Sequence, residues 1–159
     1  MAKGVSGVRS SSAAADHRSY FSKPPGTSLA SIRDMTDTTY RTVTPYLLVD
    51  DADAELAFLT SAFAGTERHC SRTPEGRVMH AEMTLGDSLV MIGQCNEQYP
   101  SRPCALYLWV DDVDATFQKA LGAGGTVESA PEDKPYGHRN AGVVDPNGNT
   151  WWIAAPVRG

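Results

Sequence analysis

Residues 46–55 read YLLVDDADAE and residues 107–116 read YLWVDDVDAT, seven identities in ten positions at an offset of 61. The match resumes at an offset of 62, where Gly86-Asp87-Ser88 before LVMIG corresponds to Gly148-Asn149-Thr150 before WWIAA. A self-similar pair of this kind means one supersecondary unit present twice, two copies of about 50 residues that bury a shared core only by pairing.

In the first copy VTPYLLV is apolar and β-rich. DDADAELAFLTSAF opens with aspartates suited to N-capping and then places apolar groups at helical spacing. After Gly65 come strand candidates near residues 66–73, 77–85 and 88–93, separated by Pro74-Glu75-Gly76 and by a Gly-Asp turn. The order is βαβββ. The second copy repeats it with CALYLWV, DDVDATFQKALGAG, TVESA, RNAGVVD and TWWIAA. The fold class expected is therefore α+β, in two βαβββ modules of about 42–95 and 102–157 within one domain over 42–159.

A chain of 159 residues fits one domain of roughly 100–200 residues. It can bury about two thirds of its unfolded surface, so it needs no metal or disulfide merely to fold. Residues 1–43 hold six basic and three acidic groups, net +3, which leaves -8 for the rest of a chain whose total is -5. The first segment is rich in Ser, Ala and Gly without apolar period, so residues 1–41 read as a disordered or dispensable tail, with Met35 as an alternative natural start. No basic face suits phosphates, and no apolar run reaches the roughly 20 residues of a membrane span, so neither nucleic acid nor membrane is expected as a partner. Cys70, Cys95 and Cys104 form no CxxC pair, which points to a reducing cytoplasm.

Paired βαβββ units, VDDxDA in both copies, MHAEMTLGDSLVMI in the first and PYGHRNAGVVDPNGNTWWIA in the second resemble the vicinal oxygen chelate superfamily, closest to its PhnB-like glyoxalase and bleomycin-resistance proteins. The resemblance implies that the strands curl into half-barrels around a ligand cavity, with two chains commonly completing them as a homodimer. In metal-dependent members it implies four ligands, which fall here on Thr44, Val90, Ala105 and Trp152. None of these side chains coordinates a divalent ion as His or Glu does, so no cofactor is expected at those positions.

Strand alternation assigns Thr44, Tyr46 and Leu48, with Ala105, Tyr107 and Trp109, to the cavity face, and Leu47, Val49, Leu106, Leu108 and Val110 to the helices. Tyr46, Tyr107, Trp109 and Trp152 would make an aromatic wall for a flat or hydrophobic small molecule, or else fill the barrel or a dimer interface. On VMHAEMTL, Met79, Ala81, Met83 and Leu85 share one face, which sends His80 and Glu82 to the other. That pair reads as an acid and base, as half of a noncanonical metal site with His69, or as a plain hydrogen-bonded pair. In PEDKPYGHRN, Tyr136 and Arg139 are candidate ligand contacts, with Arg139 either gripping an anion or pairing with Asp145 or Glu132. Three functions follow: a metal-free small-molecule binder, a lyase, isomerase or oxygenase centred on His80 and Glu82, or a structural or regulatory homodimer whose barrel is filled by side chains.

Overall fold

The computed structural model describes residues 40–157. The tail expected over residues 1–41 and the alternative start at Met35 lie outside the described residues, apart from Tyr40 and Arg41.

The first module runs β1 (Tyr46–Val49), α1 (Ala52–Phe63), β2 (Thr66–Arg72), β3 (Val78–Leu85) and β4 (Ser88–Gln94). The second runs β5 (Ala105–Trp109), α2 (Val113–Gly122), β6 (Thr126–Asp133), β7 (His138–Val144) and β8 (Thr150–Pro156). Each module forms a four-stranded sheet, ordered β1-β4-β3-β2 and β5-β8-β7-β6. The first strand of each pairs in parallel with the last, and the other pairings are antiparallel. The α+β architecture and the doubled βαβββ order are those the repeat implies.

The repeated VDD has a local cause. Its second aspartate caps each helix: Asp51 Oδ1 accepts from Ala54 N and Asp112 Oδ1 from Ala115 N, both at 2.9 Å. A carboxylate there satisfies a backbone N–H that the helix leaves without a partner and lies at the positive end of the helix dipole. Past the cap, α1 turns Leu56, Phe58, Leu59 and Ala62 inward, and α2 turns Val113, Phe117 and Ala120.

Both modules share a single buried core, in which Leu47, Val49, Met83 and Ile92 join Val143, Trp151 and Ile153. Phe63 of α1 reaches across to Trp151 of β8, with ring centroids 4.9 Å apart. Burying each such large apolar side chain contributes about 1.5–3 kcal/mol, so the helix-facing sides of the two sheets hold the modules together. The opposite sides are left for function.

The two first strands are closed differently. Arg102 N donates to Leu48 O at 3.3 Å, so the chain between the modules runs along the free edge of β1, and Leu47 and Val49 are buried. Their counterparts, Leu108 of β5 and Val110 just past it, are only half-buried. A groove of about 670 Å³ opens beside them, lined by Leu106, Leu108, Val110, Phe63, Leu89 and Trp151. It follows the edge of β5, which ends its sheet, and Tyr107 and Trp109 line it as well. None of the described helices is long and apolar enough to cross a membrane.

Candidate functional site

On the open side of the first sheet, Glu82 is the centre of a polar cluster. It is 7% exposed, and its Oε1 accepts from Tyr40 Oη at 2.7 Å and lies 3.4 Å from His80 Nε2, while its Oε2 accepts from Arg68 Nη1 at 3.3 Å. A buried carboxylate is held there by donors on three segments, the chain before β1, β2 and β3. The Arg68 guanidinium also lies 5.0 Å from the centre of the Tyr40 ring. The hydrogen bond to Glu82, with some burial, raises the Tyr40 phenol above its usual range. Tyr46 of β1 meets the His80 ring edge-on at 5.6 Å, and burial pushes its own phenol up.

A second patch covers the open side of the other sheet. Trp109 and Tyr107 of β5 lie 5.4 Å apart, and His138 of β7 meets Trp109 at 4.8 Å and Tyr136 at 5.3 Å, both edge-on. Tyr107, Trp109 and Tyr136 are 48%, 56% and 63% exposed. Tyr136 is placed by the turn at Gly137, whose φ of 87° suits glycine. Asn140 Nδ2 donates to Tyr107 Oη at 3.3 Å.

The two patches are versions of one arrangement. Tyr46 pairs with Met91 as Tyr107 pairs with Trp152, and Ala81 pairs with Ile92 as Ala141 pairs with Ile153. His80 and Asn140 are therefore equivalent, each beside the tyrosine of its first strand. Glu82 is equivalent to Gly142, so the place of the carboxylate in one module holds a Trp152 ring over a glycine in the other.

This register corrects the ligand position read as Val90. The counterpart of Trp152 is Met91, and Val90 is buried in the core on the helix side. Between the equivalent pairs Thr84 with Leu89 and Val144 with Thr150, the second turn holds one residue more. Matching the turn glycines therefore shifts the strand by one. Thr44, Met91, Ala105 and Trp152 present no imidazole or carboxylate, and these positions do not fit a divalent metal. Among the described residues, no three His, Cys, Asp or Glu side chains cluster so as to hold one. His69 stands opposite Glu82 in the β2–β3 ladder, and its ring lies 6.3 Å from that of His80 between centroids.

Met79 also departs from expectation. Val78 and Ala81 are both buried and Met79 is 40% exposed, because the pairing of β2 with β3 shifts between Ser71 and Arg72. His80 and Glu82 nevertheless share the open side, as the alternation from Ala81 onward requires. The aromatic wall divides: Tyr46 lies in one patch and Tyr107, Trp109 and Trp152 in the other, and among the described residues the rings of one patch do not touch those of the other. Arg139 is engaged by Asp114, through Nε at 2.5 Å and Nη2 at 2.8 Å, and by Asp133 at 2.9 Å, rather than by Asp145 or Glu132. The residues that alternation alone did not mark are Tyr40, Arg68, His138 and Asn140; for His138 the signal was its place two residues after Tyr136.

Residues 39–153 match the family described as the Glyoxalase/Bleomycin resistance protein/Dioxygenase superfamily. The uncharacterized protein Mb0911c of Mycobacterium bovis is 35% identical over 130 residues, which span 73% of this chain and 84% of that protein. Among solved structures, TioX from Micromonospora sp. ML1 is similar with a TM-score of 0.65 at 24% identity, over 74% of this chain and all of TioX (100%). The PhnB protein from Bacillus cereus is similar with a TM-score of 0.59 at 23% identity, over 74% of this chain and 100% of its own. At these identities the two structures speak for the fold.

Proposed function

Because the chain belongs to the Glyoxalase/Bleomycin resistance protein/Dioxygenase superfamily, we propose that it is a PhnB-like member that binds a small, partly aromatic or hydrophobic molecule without a metal at the family's usual positions. The observation that carries this reading is the half-exposed group of Tyr107, Trp109 and Tyr136 around His138. Large aromatic rings left half in water on a rigid sheet offer flat apolar contact together with polar tips, the composition of a small-molecule site. The absence of imidazole or carboxylate from Thr44, Met91, Ala105 and Trp152 supports the metal-free part.

The same exposure supports a homodimer, in which a second copy covers the open sides of the sheets and ligand is held between them. The three cysteines are free thiols, in keeping with a cytoplasmic location.

A second reading, a lyase, isomerase or dioxygenase using His80 and Glu82, is favoured by one feature. Glu82 is buried among donors from three segments with an imidazole at 3.4 Å, the setting of an acid and base pair. Metal analysis of untagged protein, with zinc, nickel, manganese and iron titrations of wild type and His80→Ala, separates the readings. No bound metal, with aromatic ligands protecting the protein in a thermal-shift screen, is expected. Stoichiometric metal that His80→Ala loses overturns the metal-free reading.

A further inference from the structure

Away from both patches, a closed polar group ties the modules together. Glu55 of α1 is 0% exposed, and Asp145, at the start of the turn between β7 and β8, is 4% exposed. Asp145 accepts four hydrogen bonds: from Asn147 N and Asn149 N to Oδ1, and from Asn149 Nδ2 and Trp151 Nε1 to Oδ2, at 2.8–2.9 Å. Four donors fill the acceptor capacity of an ionised carboxylate. Glu55 is served far less well. Its Oε2 accepts from Asn147 Nδ2 at 2.9 Å, whereas its fully buried Oε1 has no partner.

Asn147 completes the tie. Its Oδ1 accepts from Asp51 N and its Nδ2 donates to Asp51 O, both at 2.9 Å, so the second module's turn is fastened onto the start of the first module's helix.

A buried carboxylate oxygen without a donor carries its full desolvation cost, and the charge of Asp145 nearby adds repulsion. Both penalties vanish when Glu55 keeps its proton. We propose that Glu55 keeps its proton at neutral pH and acts, through Asn147, as a pH-sensitive clasp between the modules, which loosens when Glu55 ionises. The titratable groups that face Glu55 are Asp145 from the turn and the Cys104 thiol from the chain entering β5; Asp51 on its own helix joins the network through its backbone. Burial, then the charge of Asp145, pushes Glu55 up to about 8 against the hydrogen bond from Asn147.

The direction follows from linkage. Between the ordinary value of 4.5 and about 8, the folded chain holds a proton that the unfolded chain has released, so each rise in pH within that window favours unfolding. The stabilisation is complete below the window and gone above it.

The test is thermal unfolding of the full chain from about pH 5 to about pH 9, for wild type and Glu55→Gln, whose amide mimics the protonated acid. We expect the wild-type Tm to fall by about 5–10 °C across the window relative to Glu55→Gln. The protection of the Asp51 and Asn147 amides against exchange, relative to their intrinsic base-catalysed rates, should fall over the same range in wild type only. Parallel pH profiles for the two proteins overturn the proposal. So does a rise in wild-type Tm with magnesium or calcium that Glu55→Gln lacks at neutral pH, which would put a cation in place of the proton. If Glu55→Gln fails to fold, infrared difference spectra of wild type carrying 13C-labelled glutamate decide the matter. A protonated carboxyl band at neutral pH that disappears above the window supports the clasp, and its absence overturns it.

Discussion

Gly142 lies beneath the ring of Trp152, so close that a β-carbon on it would stand 2.8 Å from Cζ3 and 3.1 Å from Cε3. The glycine is the reason this ring can lie across the neighbouring strand on the open side of the sheet. Gly142→Ala must therefore push the indole outward or spread the strands, and overpacking of this kind costs about 1–3 kcal/mol. Urea unfolding should show the loss with an unchanged m value, and near-ultraviolet circular dichroism should report the moved indole. A variant as stable as wild type with the same spectrum would mean that the ring moves freely already.

Glu82 is the acceptor for Tyr40 and Arg68, so Glu82→Gln places an amide donor among donors. A buried polar mismatch costs about 1–3 kcal/mol. Tyr40→Phe removes one donor from a half-exposed position and should cost about 0.5–1.5 kcal/mol. Because the two touch, their double variant should be less destabilised than the sum of the two. Denaturation of the four proteins measures the coupling, and strict additivity would show that Tyr40 does not hold Glu82 in solution.

The repeat made the fold legible because it rests on chemistry that sequence displays directly: an aspartate cap, an apolar helix face and alternation along the first strand. The site was legible only in part. Tyr46, Tyr107, Trp109, His80 and Glu82 lie on the side that alternation assigns them, since each belongs to a regularly paired strand. Val90 was misplaced because the eye aligns turn glycines while the ladder aligns strands, and the two turns differ by one residue. Met79 was misplaced because a shift of pairing leaves no mark in its own strand. The partners of Arg139 lie on α2 and β6, and only the closing of β6 on β7 over the helix start brings Asp114 and Asp133 together.

Ala64 ends α1 in the left-handed conformation, with φ 54° and ψ 33°. The second module places Gly124, φ 99°, just past α2. An L side chain pays about 1–2 kcal/mol for that backbone, partly offset in a glycine variant by the greater freedom of its unfolded chain. Ala64→Gly should then raise stability by about 0.5–1 kcal/mol, seen as a higher urea midpoint. A drop in the midpoint would mean that the alanine methyl makes a contact worth more than the strain.

Arg139 holds the Asp114 carboxyl below its ordinary value of 3.8 through its fork and its charge. Such a group stabilises the fold above 3.8, and that contribution disappears as pH falls through the lower folded value. Both side chains are substantially exposed, so the effect is small and screened by salt. Arg139→Ala should lose structure at a slightly higher pH than wild type in an acid titration followed by circular dichroism. Its affinity for an aromatic ligand should be unchanged, because the guanidinium is already satisfied by two carboxylates. A marked loss of affinity would return Arg139 to the binding site.

Trp109 and Tyr107 give the sharpest separation between a binding face and a structural one. Each is about half exposed in the single chain, so replacing either with Ala should cost about 1–3 kcal/mol without unfolding the protein, Tyr107→Ala the more because it also leaves the buried Asn140 amide without its acceptor. If the rings bind ligand, each replacement should weaken affinity for an aromatic hit from the screen by about 2- to 10-fold, the worth of one ring contact. Trp109→Phe should retain more of it than Trp109→Ala, since stacking survives on a smaller ring. Isothermal titration measures the affinities, and sedimentation over a range of concentrations follows assembly in the same proteins. Lost dimerisation with the affinity per site intact would assign the rings to the second copy, whereas lost affinity in protein that still assembles would assign them to the ligand.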